Sequence, residues 1–537
     1  MGEIGRHRVA TELAWEYSVP QLLQAYEQGL GLRPGRTRVD RPLITPGLSL
    51  RSPFPLPPPT TAKSMPKTVS PHRPDSLRLL VVIASYGEKN LGLLHEVIRR
   101  YREMPYQIDI VVISNAPKNL GPDVEVVVGL PTSHPWSLPF AHKAVFAQRA
   151  RDYDLFLYSE DDMGVTEAHI GAFLRATPQL AEDEIAGFMR YEVDNTGTTY
   201  LLDVHGRFHW RPVSGSRRGD YMIAEFTNEH AALYLLTQKQ LKKAIASGNF
   251  LRQPCEDRHD MLCTAATDPY TVCGFRKVMC ISAFEDFLVH HMSNRYAGKW
   301  GVSLAEFDYQ VRTQMAIVEG HHPASALCEG ETRLLHCEWS KSYYEQPVEA
   351  VLELVPAEAR TILSVGCGWG AAEECLKQRG ARVTAVPLDS VIGAAAARRG
   401  LEVVYGSLDE CFESLRDRRF DCLVVTNLLH LFEDPQQIVA RWASLVRNGG
   451  SFVISGPNFG SLRVKAKHVL RRSNYQRLSS FEASGVRMLG PRKLRTILKR
   501  LGVTRTEVRW LDPGEERGIE GRLGPLGSPH WALRATI

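Results

Sequence analysis

The stretch Thr361-Ile-Leu-Ser-Val-Gly-Cys-Gly-Trp-Gly370 is a short apolar run that leads into three alternating glycines and then into a helix-forming segment. Glycines at such a strand-to-helix turn let backbone N–H groups approach a ligand closely at the helix N-terminus. The spacing is G-x-G-x-G, whereas the dinucleotide fingerprint needs G-x-G-x-x-G and the P-loop needs a following Lys-Ser/Thr. The stretch therefore predicts a ligand-binding α/β domain that lacks both of these phosphate-binding motifs.

Strand and helix patterns alternate around this glycine loop from about residue 349 to residue 537. The same alternation occurs from residue 77 to residue 320, where the apolar run Leu77–Ala84 predicts the first buried strand. This rhythm is typical of βαβ units and a mostly parallel sheet, so we expect two α/β domains. Residues 321–348 show no clear period and are predicted to be an interdomain linker. Residues 1–76 are predicted to form a helical segment followed by a Pro-rich linker.

Composition narrows the class of protein. The 537 residues carry a formal net charge of +5, and the ten cysteines contain no C-x-x-C pair, so we expect reduced thiols rather than a disulfide framework or a zinc site. No uninterrupted apolar stretch approaches the ~20 residues that cross a bilayer. We therefore expect a cytoplasmic protein. Residues 463–509 hold fourteen Lys or Arg and two Glu, but no aromatic-rich motif accompanies them, so nucleic acid is not the expected partner.

The region from about Glu349 to Val508 resembles the class I S-adenosylmethionine-dependent methyltransferases in five features that occur in the expected order. These features are the glycine loop, the strand Arg382–Val386 with its following residues, the loop Gly406–Asp409, the segment Phe420–His430, and the turn and strand Asn448–Ser455. The resemblance implies a doubly wound, Rossmann-like sheet that binds S-adenosylmethionine. It assigns cofactor contacts to Gly366, Gly368, Gly370, Asp389, Leu408, Asp409 and Asn427.

Two residues depart from this pattern. Ser364 stands where many members have an acid in the first strand, and Pro387 stands where the acid for the ribose hydroxyls is expected. Either Asp389 reaches back to the ribose, or backbone and water contacts replace the missing acid. His430 is the candidate base for a hydroxyl acceptor, because an unperturbed imidazole exchanges protons near neutrality. The alternative is that His430 only caps the helix that follows it.

Three consecutive carboxylates end an apolar run in the first α/β domain. The segment Asp154–Met163 predicts a buried strand followed by Glu160, Asp161 and Asp162. Like charges at one strand end repel each other, and a divalent cation would relieve that repulsion. The alternative is a solvated acidic loop tip.

The region from Leu77 to Gly301 resembles the GT-A glycosyltransferases, in which a D-x-D-like motif holds a metal on a nucleotide-sugar diphosphate. The resemblance implies that Mn²⁺ or Mg²⁺ is bound by Glu160, Asp161, Asp162 and His290, with His291 as the alternative histidine. It implies that Asp286 or Glu285 is the base for the acceptor hydroxyl, with Glu256 and Asp260 as alternatives. The acids and histidines around residues 285–291 could instead pair on the surface.

The two resemblances together predict a bifunctional transferase. One domain would transfer a sugar from a nucleotide-sugar donor, and the other would methylate the resulting glycan or a related small or anionic acceptor. Fusing two successive active sites raises their effective concentration for a shared product. Two alternatives remain at this stage: the first domain is a non-catalytic glycan-binding module, or the second domain is a scaffold that no longer binds its cofactor.

Overall fold

The computed structural model describes residues 77–462, 464–466, 477–511 and 524–537. The predicted helical segment and Pro-rich linker within residues 1–76 lie outside the described residues. No helix in the described part of the chain is both long and apolar enough to span a bilayer.

The first α/β domain is built on a five-stranded sheet. Its strands are β1 (Arg78–Ser85), β2 (Gln107–Ser114), β3 (Val124–Val128), β4 (Leu155–Glu160) and β11 (Leu233–Thr237), in the order β11-β4-β1-β2-β3. Strands β1 to β4 are parallel, and β11 runs antiparallel to β4. The helices of this domain are α1 (Leu91–Arg102), α2 (Ala141–Gln148), α3 (Glu167–Ala176), α4 (Gln238–Ala246), α5 (Met261–Thr271) and α6 (Leu304–Val318). The predicted βαβ start is confirmed, since α1 connects the parallel strands β1 and β2.

Two smaller sheets complete this domain. One has the order β6-β12-β10-β9 and the other β14-β8-β7-β13-β5. Their strands are β5 (Met163–Gly164), β6 (Glu184–Ala186), β7 (Met189–Val193), β8 (Thr199–Leu201), β9 (Ser216–Arg218), β10 (Tyr221–Ala224), β12 (Arg276–Cys280), β13 (Leu288–His291) and β14 (Val302–Ser303). The pairing of β13 with β5 brings His291 beside the residues that follow β4.

The second domain contains a seven-stranded sheet in the order β17-β16-β15-β18-β19-β21-β20. Its strands are β15 (Thr361–Cys367), β16 (Arg382–Pro387), β17 (Glu402–Val403), β18 (Phe420–Val425), β19 (Val446–Pro457), β20 (Arg505–Leu511) and β21 (His530–Thr536). The helices are α7 (Glu349–Leu352), α8 (Ala371–Gln378), α9 (Ser390–Arg398), α10 (Leu408–Leu415), α11 (Pro435–Ala443), α12 (Phe481–Ser484), α13 (Pro491–Arg500) and α14 (Gly524–Gly527).

The five strands β15 to β19 are parallel, whereas β21 is antiparallel to both of its neighbours. Numbered within the domain, the order is 3-2-1-4-5-7-6. This is the doubly wound, Rossmann-like sheet expected for a class I methyltransferase, so the predicted fold of this domain is confirmed.

Residues 321–348, hereafter the connector, do more than join the two domains. Leu327 N donates to Leu388 O at 2.8 Å, and Trp369 N donates to Tyr343 O at 2.9 Å. The connector therefore lies across the carboxyl edge of the second sheet. A single cluster of buried apolar side chains includes Trp210, Tyr343 and Val386, so it draws on both domains as well as on the connector.

Candidate functional site

The glycine loop connects β15 to α8. Gly366 and Gly370 have φ values of +77° and +85°, in the left-handed region that favours glycine. A Cβ at Gly368 would lie 2.1 Å from the carbonyl oxygen of Tyr343. Glycine is therefore needed at Gly368 because the connector backbone approaches it closely.

A buried lysine ties the connector to the neighbouring strand end. The side chain of Lys341 is fully buried, and its Nζ donates to Thr426 O at 2.7 Å and pairs with Glu345 Oε2 at 2.5 Å. Asn427, which follows Thr426, donates from Nδ2 to Glu345 Oε1 at 3.2 Å. Together with the bonds to Leu388 and Trp369, these contacts link the connector to the ends of β15, β16 and β18.

Asn427 adopts a strained backbone conformation with a φ of +45°. Its Oδ1 is buried and has no hydrogen-bond partner among the described residues. The structure thus places this predicted cofactor contact at the end of β18, with an acceptor atom free for a ligand.

Asp389 lies at the N-terminus of α9 and is only 3% exposed. Its Oδ1 accepts from Ile392 N at 2.8 Å, so one carboxylate oxygen caps the helix. Its Oδ2 is buried and finds no partner in the described part of the chain. Burial raises the pKa of Asp389 to about 7. Asp389 is thus a buried helix cap that does not line the cavity described below, and its contact with the ribose stays a prediction.

Leu408 and Asp409 lie in the first turn of α10, after its N-cap Ser407. Leu408 packs against the hydrophobic core, and Asp409 is exposed and forms an ion pair with Arg441. Neither residue lines the cavity described below. Their predicted contact with the cofactor stays a prediction.

The position of His430 favours a structural role over the predicted role of methyl-transfer base. The residue lies in the 3₁₀ helix Leu429–Leu431 and is 3% exposed. Its Nε2 donates to Trp339 O at 2.8 Å, and burial lowers its pKa to about 4. His430 is absent from the lining of the cavity. A buried neutral imidazole bonded to the connector has a structural role here.

A cavity of about 740 Å³ opens beside the glycine loop. Its volume lies within the ~300–1,000 Å³ that is common for small-molecule sites. Apolar side chains form much of the wall, including Tyr344, Val348, Val351, Leu352, Trp369 and Leu376. Asn427, Ser455 and His530 add polar groups from the second domain, and His205 and Trp300 add rings from the first. The two domains thus line one site.

Glu373 is a cavity residue that the sequence analysis missed. It lies in the first turn of α8, is 5% exposed, and accepts a 2.7 Å hydrogen bond from Ser364 Oγ. Burial raises the pKa of its carboxyl. The sequence did contain a signal, since Ser364 replaces an expected acid and Glu373 follows nine residues later, on the helix that leaves the loop.

The acidic triplet of the first domain lies at the end of β4, as predicted. Asp161 accepts from Ser85 Oγ and from Asn90 Nδ2, both at 2.7 Å. Asp162 lies 3.1 Å from His291 Nε2, and the opposite ring nitrogen of His291 lies 2.6 Å from Glu192. The two carboxylates raise the pKa of His291 against the opposing effect of burial. Asp161 and Asp162 are therefore both held by neighbouring side chains.

The predicted metal set is not assembled as a group. His290 stacks on Tyr191 and hydrogen-bonds Asn294. Because neighbouring residues of a strand point in opposite directions, His291 is the histidine beside Asp162. Glu160 is partly buried, and its pKa is raised to about 7 by desolvation. Among the residues that the structure describes, no group of three or more His, Cys, Asp or Glu side chains is arranged to hold a metal ion. The choice of His290 is therefore corrected.

Glu285 and Asp286 are exposed residues of the 3₁₀ helix Ile281–Phe287. Asp286 forms an ion pair with Arg175 at 3.5 Å. No contact in the described structure joins either acid to Asp161 or Asp162. Both acids thus lie on the surface, but the partner of Asp286 is Arg175 rather than one of the histidines.

The similarities to known proteins described next lie in the second domain. The sequence profile of the family described as Methionine biosynthesis protein MetW matches residues 346–476. The Ubiquinone biosynthesis O-methyltransferase of Coxiella burnetii (strain RSA 493 / Nine Mile phase I) is 32% identical over 108 residues, which are 19% of this chain and 46% of that protein. The enzyme of the same name from Stutzerimonas stutzeri (strain A1501) is 25% identical over 138 residues, 23% of this chain and 60% of that protein. The chain thus spans about half the length of the relatives it matches.

Solved structures with local similarity include a methyltransferase from Thermotoga maritima described as a possible histamine N-methyltransferase. It has a TM-score of 0.28 and 19% identity, over 35% of this chain and 86% of that one. The N-methyltransferase NodS from Bradyrhizobium japonicum, solved with S-adenosyl-L-homocysteine, has a TM-score of 0.25 and 16% identity, over 36% of this chain and 89% of that one. Sequence similarity and strand order together identify a methyltransferase-like domain.

Proposed function

We propose that the second domain binds S-adenosylmethionine at the carboxyl edge of its sheet and transfers the methyl group to a small molecule. The observation that carries this proposal is the position of the cavity. In an open α/β sheet, ligands bind at the switch point where strand order reverses. In this sheet the switch point lies between β15 and β18, and Trp369 and Asn427, which follow those strands, both line the cavity.

The buried polar groups around the switch point fit such a cofactor. Asn427 lines the cavity, and its buried Oδ1 lacks a donor within the described structure, so it can accept a hydrogen bond from a ligand. Glu373 presents a carboxylate in the cavity wall. When bound, S-adenosylmethionine supplies an electrophilic methyl group. The chain's own task is then to align the acceptor, which is the main requirement of an in-line methyl transfer.

The lining of the cavity supports a particular class of acceptor. Apolar and aromatic side chains dominate the wall, and the acidic residues Glu345 and Glu373 also face it. The apolar wall favours a small, largely apolar molecule over the glycan or anionic acceptor expected from sequence. The names of the relatives support a hydroxyl oxygen as the methylated atom. Trp300 and His205 of the first domain would then contact the acceptor rather than the cofactor.

The test uses the full chain and S-adenosylmethionine labelled in the methyl group. Label should pass to a small molecule when panels of apolar hydroxyl compounds are supplied, and the product should gain fourteen daltons (CH₂). The variant Trp300→Ala should raise the KM for the acceptor and leave the Kd for S-adenosylmethionine unchanged. A chain that binds no S-adenosylmethionine at millimolar concentration would refute the proposal.

A second candidate function is glycosyl transfer by residues 77–320 from a nucleotide-sugar with Mn²⁺ or Mg²⁺. It is favoured by Asp161 and Asp162, which follow β4, and by Ser85, which ends the parallel neighbouring strand β1 and donates to Asp161. Together with the methyltransferase it would form the bifunctional enzyme. Thermal-shift measurements with nucleotide-sugars and Mn²⁺ test it, because a bound ligand stabilises its domain by mass action. No shift, or the same shift in Asp162→Asn, would favour a non-catalytic first domain.

A further inference from the structure

The carboxylate of Glu373 occupies an unusual place for an acidic side chain. Glu373 is only 5% exposed to solvent, and it forms part of the wall of the cavity next to the glycine loop. Within the described structure, Ser364 is the one side chain that hydrogen-bonds it. No described Lys or Arg forms an ion pair with it, and the nearby Lys341 is already paired with Glu345. Burying a carboxylate in this way is costly unless a cation accompanies it.

The 2.7 Å contact between Ser364 Oγ and Glu373 Oε1 shows that the two side chains meet at one point above β15. Ser364 is the strand position at which related methyltransferases often carry an acid, and here it carries a short hydroxyl. The longer side chain of Glu373, entering from the first turn of α8, brings a carboxylate to the space that an acid at position 364 would reach. Ser364 then serves as the donor that orients this carboxylate.

We propose that Glu373 binds the ammonium group of the methionyl part of S-adenosylmethionine, in place of an acid on the strand. This assignment rests on the proposed methyltransferase function. It explains why the cavity wall contains a buried carboxylate that lacks a cation. It also explains how the chain tolerates serine at position 364. Glu374, the next residue of α8, points away and pairs with Arg399 at 3.5 Å, so it supplies a matched control.

The test is titration calorimetry on the full chain with three ligands. S-adenosylmethionine and S-adenosylhomocysteine both carry the ammonium group, whereas 5′-methylthioadenosine lacks it. Glu373→Gln should weaken the first two by roughly 10- to 100-fold, the range for a hydrogen bond to a charged group. It should leave methylthioadenosine unchanged, and Glu374→Gln should bind all three ligands as the wild type does. Equal affinity of Glu373→Gln and wild type for S-adenosylhomocysteine would overturn the assignment.

A carboxylate swap separates a binding role from a purely structural one. The double variant Ser364→Asp/Glu373→Gln returns an acid to the strand and should recover most of the lost affinity. If the role of Glu373 is purely structural, we expect no recovery of affinity, because the acid added at position 364 would then only be a buried carboxylate without a ligand. Failure of the swap to recover affinity in a folded double variant would therefore count against the assignment.

The wild-type protein provides a test that requires no variant. Because Glu373 binds a cation only when ionised, the affinity for S-adenosylhomocysteine should fall as acid protonates Glu373, while that for methylthioadenosine should not. A flat pH profile for both ligands would overturn the assignment. A wild type that binds none of the three ligands would refute the methyltransferase proposal itself, and this outcome is distinct from equal binding by wild type and Glu373→Gln.

Discussion

Replacing Lys341 by Met should weaken the attachment of the connector to the second sheet. The lysine side chain is fully buried, and its ammonium group both pairs with Glu345 and donates to the Thr426 carbonyl. Methionine retains the packing of the aliphatic stem but removes the charge. Glu345 then loses its cation, and the Thr426 oxygen loses a donor.

The size of the effect follows from these contacts. Removing one partner of a buried ion pair costs about 3–5 kcal/mol, and a buried carbonyl left without a donor costs about 1–3 kcal/mol. Glu345 retains 22% exposure, so water replaces part of the lost interaction. We therefore expect a loss of about 3 kcal/mol in the free energy of unfolding of the segment that includes the second domain.

Urea unfolding followed by circular dichroism measures this change, with the slope compared between variants. Lys239→Met is the matched control, because Lys239 pairs with Glu182 on the surface, where both side chains are 79% exposed, and little change is expected there. The double variant Lys341→Met/Glu345→Gln should be less unstable than the single variant, since it removes the uncompensated carboxylate. A loss below about 1 kcal/mol for Lys341→Met would refute the inferred role of this ion pair.

Three further predictions concern other buried groups. Asp389→Asn should keep the helix cap and stabilise the protein at pH 8 by up to about 4 kcal/mol. The folded pKa of Asp389 is about 7 and its ordinary value is 3.8, so ionisation of the buried carboxyl lowers the free energy of unfolding of the wild type as pH rises between these values. Urea unfolding of both proteins at pH 4 and pH 8 measures this difference. Gly368→Ala should lower the thermal unfolding temperature by forcing the Tyr343 carbonyl away, and an unchanged temperature would contradict the close approach. The ion pair of His291 with Asp162 should stabilise the first domain below pH 6.5, and this stabilisation should be lost as pH rises through the raised pKa of His291. His291→Asn should therefore flatten this part of the plot of unfolding free energy against pH.

Local patterns were sufficient to predict the five parallel strands β15 to β19 of the second sheet, but not the antiparallel strands β20 and β21. The apolar run before Gly366, the alternation that follows it and the glycine spacing are all short-range features, and they define the strands and the loop directly. The acidic triplet at the end of β4 was likewise predictable, because a strand end and three carboxylates are visible within ten residues.

Long-range contacts could not be predicted in the same way. The connector has no period, and its bonds join Tyr343 to Trp369 and Leu327 to Leu388, pairs that sequence spacing alone does not associate. His430 follows β18 as expected, but it is buried and hydrogen-bonded to the Trp339 carbonyl, a contact that its position in the sequence does not reveal. Glu373 was missed because an acid in the first turn of a helix is usually a surface group that favours the helix dipole.

The most direct test of the central claim is a calorimetric titration of the full chain with S-adenosylmethionine, with NAD⁺ and ATP titrated in parallel. A glycine loop without a dinucleotide or P-loop motif, placed at the switch point of a methyltransferase-like sheet, predicts saturable binding of S-adenosylmethionine and no binding of the other two at this site. Absence of S-adenosylmethionine binding at millimolar concentration would contradict the account.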